Sequence, residues 1–308
     1  MGTQRVLERL NAPNIPISNS DGNVTTWSIG QNTYRLQLQE DTQEYAAAED
    51  VCEPFHAQLN GTGCWAIGDS IICKIQVWSE DAVTEAENIE FVRANVEGVP
   101  LPAVYDHWVD TTLRRSFVLM ERVPGETLAE VWPQCSAKQK NILISELVEI
   151  ITNISKKESD HFEDIKHYPP VCIMPILGKP NIVPELFIPY YPRYNCAQYN
   201  QRIEELWGYN PYSVTKFHLH HSDPHPKNII VSKPTGPTSP VHITAIIDWE
   251  GAHYAPWWTF PFLPCFHPDF NIEHENLSNP HEFAGRLFDR LVSKYFELHF
   301  LQPFIAQQ

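Results

Sequence analysis

The chain has 308 residues, of which 43% are hydrophobic and 12% aromatic. This composition supports one large domain or two lobes and excludes general disorder. Lys and Arg number 22 against 38 Asp and Glu, so the formal charge is -16. Nucleic acids and anionic membranes are bound through clustered Lys and Arg, so we expect neither as a partner. The acidic balance is compatible with an amine-bearing ligand, and no feature indicates an obligate protein partner.

The sequence also predicts a compartment. It contains no run of about 18 apolar residues, and its N-terminal stretch lacks the apolar centre of a secretory signal. The seven cysteines are odd in number and form no Cys-x-x-Cys pair. Because this usage is typical of reduced thiols, we expect a cytoplasmic protein.

The first part of the chain is rich in strand patterns. Its first 50 residues are polar and predict only edge strands and helix fragments. Four clearer elements follow in chain order: strands at 64–67 and 70–78 joined by a Gly68-Asp69 turn, a helix at 82–95, and a strand at 116–120. Pro124 and Gly125 end the last strand, and we place the hinge between two lobes there.

The pattern becomes helical after Gly125. The predicted elements are, in chain order, a helix at 138–154, a loop region at 168–194, strands at 229–231 and 242–247, and a helix at 281–300. A strand-rich part therefore precedes a helix-rich part. This order predicts an α+β fold with one domain at 1–123 and a second at 124–308.

The segment from His218 to Glu250 carries the strongest chemical signal. Asp223 and Asn228 precede the first strand of a predicted hairpin, and Asp248 directly follows the second. If the strands pair antiparallel, Asn228 and Asp248 meet at one end, which the loop with Asp223 approaches. Carboxylate and amide oxygens suit Mg²⁺. Each residue alone is equally typical of an ordinary turn, but the hairpin pattern favours a site.

A phosphate-binding cation is predicted in the strand at 70–78. Alternation places Ile71, Cys73, Ile75 and Val77 on the core face and Lys74 on the opposite face. A strand lysine is often only a surface residue.

A carboxylate partner for this lysine is predicted in the following helix. Glu85 falls on the apolar stripe of that helix, with Ile89 and Val92, where a carboxylate needs a partner. We therefore expect Glu85 to pair with Lys74, and Glu87 and Glu90 to lie in solvent.

Five motifs between residues 72 and 250 resemble the aminoglycoside phosphotransferase family, and most of all its fungal members. They are Ile72-Cys-Lys74-Ile, Glu85-Ala-x-x-Ile89, the stretch from Phe117 to Leu128, His221-x-Asp223-x-x-x-x-Asn228, and Ile246-Ile-Asp248-Trp249-Glu250. The resemblance implies a bilobal, protein-kinase-like fold with an antiparallel-sheet N-lobe and a mostly helical C-lobe. It also implies an ATP- and Mg²⁺-dependent kinase that phosphorylates a hydroxyl group of a small molecule.

The resemblance further implies roles for residues of the second lobe. Asp223 would accept or orient the proton of the acceptor hydroxyl. Asn228 and Asp248 would hold Mg²⁺ on the ATP phosphates, and His221 would support the catalytic loop.

In the first lobe, the resemblance implies a nucleotide site. Lys74, fixed by Glu85, would contact the α- and β-phosphates. The backbone from Glu121 to Val123 would bind adenine.

Some features depart from the family pattern. Ser222 stands where the family usually has Gly, and Pro224 where it commonly has Leu; both restrict the loop backbone. The candidate phosphate loop at 60–63 is short and is equally typical of a hairpin turn. A catalytically idle, kinase-like binding protein is therefore an alternative, whereas the lack of Asp-Phe-Gly and Ala-Pro-Glu argues against a protein kinase.

The aromatic segment at 254–270 offers two interpretations. Trp257, Trp258 and Phe260 either wall an apolar or cationic acceptor, or anchor a loop to the core. The second interpretation is the more common one for such residues.

Overall fold

The computed structural model describes residues 3–10, 18–20, 24–29, 32–40, 51–52, 56–57, 63–170, 193–210, 213–266 and 268–296. The chain divides into two compact units, one of residues 1–86 and 103–122 and one of residues 87–102 and 123–308. Within the described ranges, no helix is long and apolar enough to cross a membrane.

The segment 87–102 groups with the second unit by its contacts, and the domain boundary at residue 123 stays a prediction. Hydrogen bonds explain this assignment. Asn88 Nδ2 donates to the carbonyl oxygen of Trp249 at 2.8 Å, and Ile246 N donates to that of Pro100 at 2.9 Å.

The first unit begins with a five-stranded antiparallel sheet in the order β2-β3-β4-β1-β5. Its strands are β1 (Thr3–Leu10), β2 (Ser18–Ser20), β3 (Val24–Ile29), β4 (Asn32–Glu40) and β5 (Val51–Cys52). The helix fragments expected here are absent from the described residues before 63. The strands mix Gln, Arg, Glu and Thr with few apolar residues, so no period stands out in the sequence.

A second antiparallel sheet follows in the order β6-β7-β8-β10-β9. Its strands are β6 (His56–Ala57), β7 (Gly63–Ile67), β8 (Ile71–Val77), β9 (Val104–Asp110) and β10 (Arg115–Glu121). The helix α1 (Glu85–Asn95) lies between β8 and β9 in the chain, and most of it belongs to the second unit. The predicted hairpin of β7 and β8 is present, and Gly68 in its turn has a φ of +63°.

One face of this sheet forms the apolar core of the first unit. The core residues are Trp65, Ile67, Cys73, Ile75, Phe117 and Leu119. Trp108 stacks on Phe117 with ring centroids 4.7 Å apart. The prediction for Val77 was wrong, because its side chain is 53% exposed. Val77 ends β8 opposite Arg115, the first residue of β10, and so lies beyond the core.

The second unit contains most of the helices and two small antiparallel sheets, β11-β14-β15 and β12-β13-β16. Its elements are β11 (Glu126–Thr127), α2 (Leu128–Val131), α3 (Ala137–Ser155), β12 (Glu158–Ser159), α4 (Cys196–Trp207), β13 (Phe217–His220), β14 (Ile229–Val231), β15 (Ile243–Ile246), β16 (His253–Ala255), α5 (Thr259–Phe266) and α6 (Glu282–Phe296).

These elements confirm the predicted α+β class. Helix α3 begins at a capping box in which Ser136 accepts from Gln139 N and the Gln139 side chain accepts from Ser136 N. Of the expected loop at 168–194, residues 171–192 lie outside the described residues, as do residues 297–300 of the last predicted helix.

Candidate active site

The hairpin of β14 and β15 brings Asn228 and Asp248 to the same end, as the strand pattern predicts. Ile229 pairs with Ile246 in antiparallel register. Ile247 N then donates to the carbonyl oxygen of Asn228 at 2.9 Å. This extra bond extends the pairing by one step and places Asp248 beside Asn228.

Asn228 is the centre of this group. Its side-chain Nδ2 donates to the carbonyl oxygen of Asp223 at 3.0 Å and lies 3.5 Å from Oδ2 of Asp248. Because Nδ2 is committed to these oxygens, Oδ1 remains as the acceptor atom of the amide. Asn228 is buried, whereas the side chain of Asp223 is 36% exposed. The three residues therefore bring oxygen atoms that can ligate a metal close together, and solutes can reach the side chain of Asp223.

This donor set fits a hard divalent cation. Asp248 offers a carboxylate and Asn228 an amide oxygen, which are ligands that Mg²⁺ accepts while it keeps waters and substrate phosphates. In the described part of the chain, no group of three or more His, Cys, Asp or Glu side chains is arranged to hold a metal.

His221 is only 3% exposed and supports the loop that carries Asp223. Its Nδ1 accepts the backbone N–H of Asp223 at 3.3 Å, so its Nε2 carries the proton and donates to the carbonyl oxygen of Ile247 at 2.9 Å. The ring meets that of Trp249 edge-on at 4.4 Å. His221 therefore links the loop of Asp223 to the residue before Asp248.

His225 also belongs to this group, although it is not among the predicted site residues. Its Nδ1 accepts from Lys227 N at 3.1 Å, and its Nε2 lies 3.5 Å from Oδ2 of Asp223. The Nε2–H therefore faces the carboxylate. The available signal was its position two residues after Asp223, between two prolines.

The departures from the family pattern are accommodated. Ser222 has a φ of +79°, in the left-handed region that favours glycine. Its hydroxyl donates to the carbonyl oxygen of Gly251. Pro224 is buried. Of the candidate phosphate loop at 60–63, residues 60–62 lie outside the described residues, and Gly63 begins β7.

Lys74 and Glu85 form a buried ion pair in the first unit. Nζ of Lys74 lies 2.8 Å from Oε2 of Glu85, and their side chains are 9% and 0% exposed. The pairing expected from the helix stripe is therefore present. Glu90 is exposed as expected, but Glu87 is only 32% exposed and bonds to Lys166 at 2.7 Å.

The segment proposed for adenine lies at the end of β10. The N–H of Glu121 donates to the carbonyl oxygen of Ala103 at 2.8 Å, and the N–H of Arg122 to that of Ser70 at 2.8 Å. These two donors serve the sheet.

The aromatic segment packs into the second unit. Trp258 is 4% and Phe260 is 6% exposed. Phe260 stacks on His220 and on Tyr295, and Trp257 stacks on Tyr295 with centroids 6.1 Å apart. This burial supports the anchoring interpretation over an acceptor wall.

The β13–β16 pair contains buried histidines next to the loop that carries Asp223. Burial lowers the pKa of His253 to about 4 and that of His220 well below its usual range. Burial also lowers the pKa of His218, which bonds to the carbonyl oxygen of Ser155 at 2.8 Å. These imidazoles are therefore neutral at pH 7.

A buried lysine–glutamate pair and an Asp-Asn-Asp group at the end of a hairpin are parts that phosphoryl-transfer enzymes use. Residues 72–259, more than half of the chain, match the model of the phosphotransferase enzyme family, APH. The chain belongs to that family, which confirms the resemblance; the fungal affinity stays a prediction. It is accordingly a phosphotransferase with an alcohol group as acceptor, a small-molecule kinase, as predicted.

Solved structures similar to this chain carry the same family name. The streptomycin-ATP-APH(2")-IIa ternary complex has a TM-score of 0.49 at 14% identity, over 80% of this chain and 78% of that one. A thermostable mutant of aminoglycoside phosphotransferase APH(4)-Ia has a TM-score of 0.42 at 14% identity, over 83% and 80%. Aminoglycoside-3'-phosphotransferase of type VIII has a TM-score of 0.41 at 15% identity, over 78% and 93%. Among curated proteins, none matches the sequence.

Proposed function

We propose that the protein transfers the γ-phosphate of ATP to a hydroxyl group of a small molecule and that Asp223 is the base. The observation that carries this proposal is the convergence on Asn228, whose amide bonds to the backbone of Asp223 and lies 3.5 Å from the carboxylate of Asp248. One amide thereby ties the partly exposed base to the second carboxylate.

The chemical step follows from these positions. The acceptor oxygen attacks the γ-phosphorus, the bond from that phosphorus to the bridging oxygen breaks, and ADP leaves. The proton of the hydroxyl passes to the carboxylate of Asp223, which the N–H of His225 faces. A bound Mg²⁺, held by Asn228 and Asp248, would neutralise charge on the phosphates.

Lys74, Glu121 and Val123 supply the proposed nucleotide contacts. Lys74 would bind the α- and β-phosphates, because Glu85 holds its ammonium group in place at 2.8 Å. The Glu121 carbonyl and the Val123 peptide would bind adenine. We assign nucleotide binding to residues 1–123, and the catalytic loop, metal site and acceptor site to residues 124–308.

For the acceptor we assign only a chemical class, and for the protein only a cellular compartment. The formal charge of -16 favours an amine-bearing acceptor. The thiols of Cys135 and Cys196 are free, which fits a reducing cytoplasm.

A thermal shift experiment tests the nucleotide and metal site. At about 100 times its dissociation constant, ATP with Mg²⁺ should stabilise the wild type by roughly 2.7 kcal/mol, or roughly 5 °C. Asp248→Ala should lose this shift. Asp289→Ala, which removes an exposed carboxylate from α6, should keep it.

A second variant separates chemistry from binding. Asp223→Asn should keep the shift but lose ADP release in a screen of hydroxyl acceptors. If folded wild type shows no shift with ATP and Mg²⁺, the protein is the catalytically idle member of its fold, and the proposal is wrong.

A further inference from the structure

Ser222 holds an unusual backbone conformation between His221 and Asp223. Its φ is +79°, a region where a residue with a Cβ is strained and glycine is not. Such strain persists only where the surroundings impose it. The contacts of the side chain show what imposes it here.

The hydroxyl of Ser222 joins two groups of the segment after Asp248. Oγ donates to the carbonyl oxygen of Gly251 and lies 2.9 Å from Nδ1 of His253. Nδ1 of His253 is itself 2.8 Å from the Gly251 carbonyl oxygen. Because the single hydroxyl proton is used on Gly251, Nδ1 of His253 carries its own proton, which faces both the Gly251 carbonyl oxygen and Oγ.

The close approach leaves little room for a side chain on the other side. A Cβ built at residue 251 would lie 3.3 Å from the Cβ of Ser222 and 3.5 Å from its Oγ. Gly251 ends the 3-10 turn of residues 249–251, which follows directly on Asp248. The backbone pairing of His220 with His253 holds the two segments side by side.

We propose that Ser222 is a positioning residue whose hydroxyl locks the turn carrying Asp223 onto the turn that follows Asp248. The lock sets the position of the base relative to the metal ligand, and it rests on the proposed function. It consists of the Ser222 hydroxyl, the Gly251 carbonyl and the His253 imidazole. The hydroxyl performs a task that a glycine at this position would leave undone.

Glycine and alanine at position 222 separate the lock from ordinary packing. Ser222→Gly removes the hydroxyl but also relieves the backbone strain, so the melting temperature should stay near that of the wild type. Ser222→Ala keeps the strain and loses the hydroxyl, so its melting temperature should fall. Both variants should lose turnover to the same extent.

The assay is Mg²⁺-dependent ADP release from ATP with water as acceptor. Ser222→Gly should lower kcat about tenfold or more, with the KM for ATP nearly unchanged, and should need more Mg²⁺ for half-maximal rate. Arg114→Gly makes the same backbone change at a left-handed position, φ +52°, in the turn between β9 and β10. It should leave kcat and the Mg²⁺ dependence unaltered.

The outcomes are distinct. Wild-type kcat and Mg²⁺ dependence in Ser222→Gly would overturn the lock while leaving the proposed function standing. Loss of turnover that merely follows melting temperature across the variants would also overturn it, because that is the signature of a packing role. A wild type that shows neither a thermal shift with ATP and Mg²⁺ nor ADP release with any hydroxyl acceptor would overturn the proposed function and the lock together.

Discussion

Replacing Glu85 by alanine should strongly destabilise the first unit, because it leaves the Lys74 ammonium buried without the carboxylate that now lies 2.8 Å away. At an effective dielectric constant of about 20, two charges at this distance attract by roughly 6 kcal/mol, much of which offsets their desolvation. Removing one partner keeps the desolvation and loses the attraction. We expect Glu85→Ala to lower the free energy of unfolding by about 3–5 kcal/mol.

The double variant Lys74→Met/Glu85→Leu gives the opposite expectation. It removes both charges and fills the space with apolar atoms, so its free energy of unfolding should lie near or above that of the wild type. Urea unfolding of the wild type, both single variants and the double variant completes the cycle. The double variant should fold and yet show no thermal shift with ATP and Mg²⁺, which separates stability from nucleotide binding.

An exposed pair provides the control. Arg202 and Glu205 in α4 lie 3.1 Å apart with side chains 42% and 50% exposed. Their coupling should be below about 1 kcal/mol, because solvent screens it. If the single changes at Lys74 and Glu85 are equally small and additive, the pair is solvated and the reasoning from burial is wrong.

Two further predictions concern stability in the second unit. The pKa of His253 is about 4, below its ordinary 6.5, so the unfolded chain binds the extra proton between these values. The free energy of unfolding carries no cost from His253 above pH 6.5 and falls by roughly 3 kcal/mol as the pH drops toward 4. In His253→Asn, the urea midpoint should depend less on pH than in the wild type, and an equal dependence would contradict this prediction. Gly125 has a φ of +141°, and a Cβ there would meet the carbonyl oxygen of Val231 and lie 2.9 Å from Cγ2 of Ile230. Gly125→Ala should therefore lower the free energy of unfolding, measured with denaturant, by more than Gly68→Ala does. A Cβ at residue 68 meets nothing within 4 Å, so Gly68→Ala should lower it by about 1 kcal/mol. Equal losses would show that the second unit adjusts its structure at the contact of residue 125.

The proximity of Asn228 and Asp248 could be predicted from the sequence because its signals are local. Asn228 and Asp248 flank two short apolar strands, and antiparallel pairing alone brings them to one end. The Lys74–Glu85 pair could be predicted from the sequence for a related reason. A carboxylate on an apolar helix stripe demands a partner, and the preceding strand offers one cation on the appropriate face.

Several elements escaped prediction because their signal is not local. Strand β13 is four residues long, includes two histidines, and is buried throughout. Its pairing partner β16 begins more than 30 residues later. Helix α5 contains Pro264, which argues against a helix in any sequence reading. The secondary structure of such segments depends on packing against other elements, and no periodicity in the sequence indicates that packing.

The amino-acid sequence by itself determined the family, the α+β class and the residue types at the proposed phosphotransfer site, because motifs and strand periodicity are properties of neighbouring residues. Only the tertiary structure decided what supports that site. The contact of Ser222 with Gly251 and His253 spans about thirty positions and depends on a left-handed backbone. The burial of Trp258 and Phe260, and the exposure of Val77, likewise follow from which surfaces meet. Hydrogen bonds and packing between distant segments are set by the folded geometry, which no short stretch of sequence encodes.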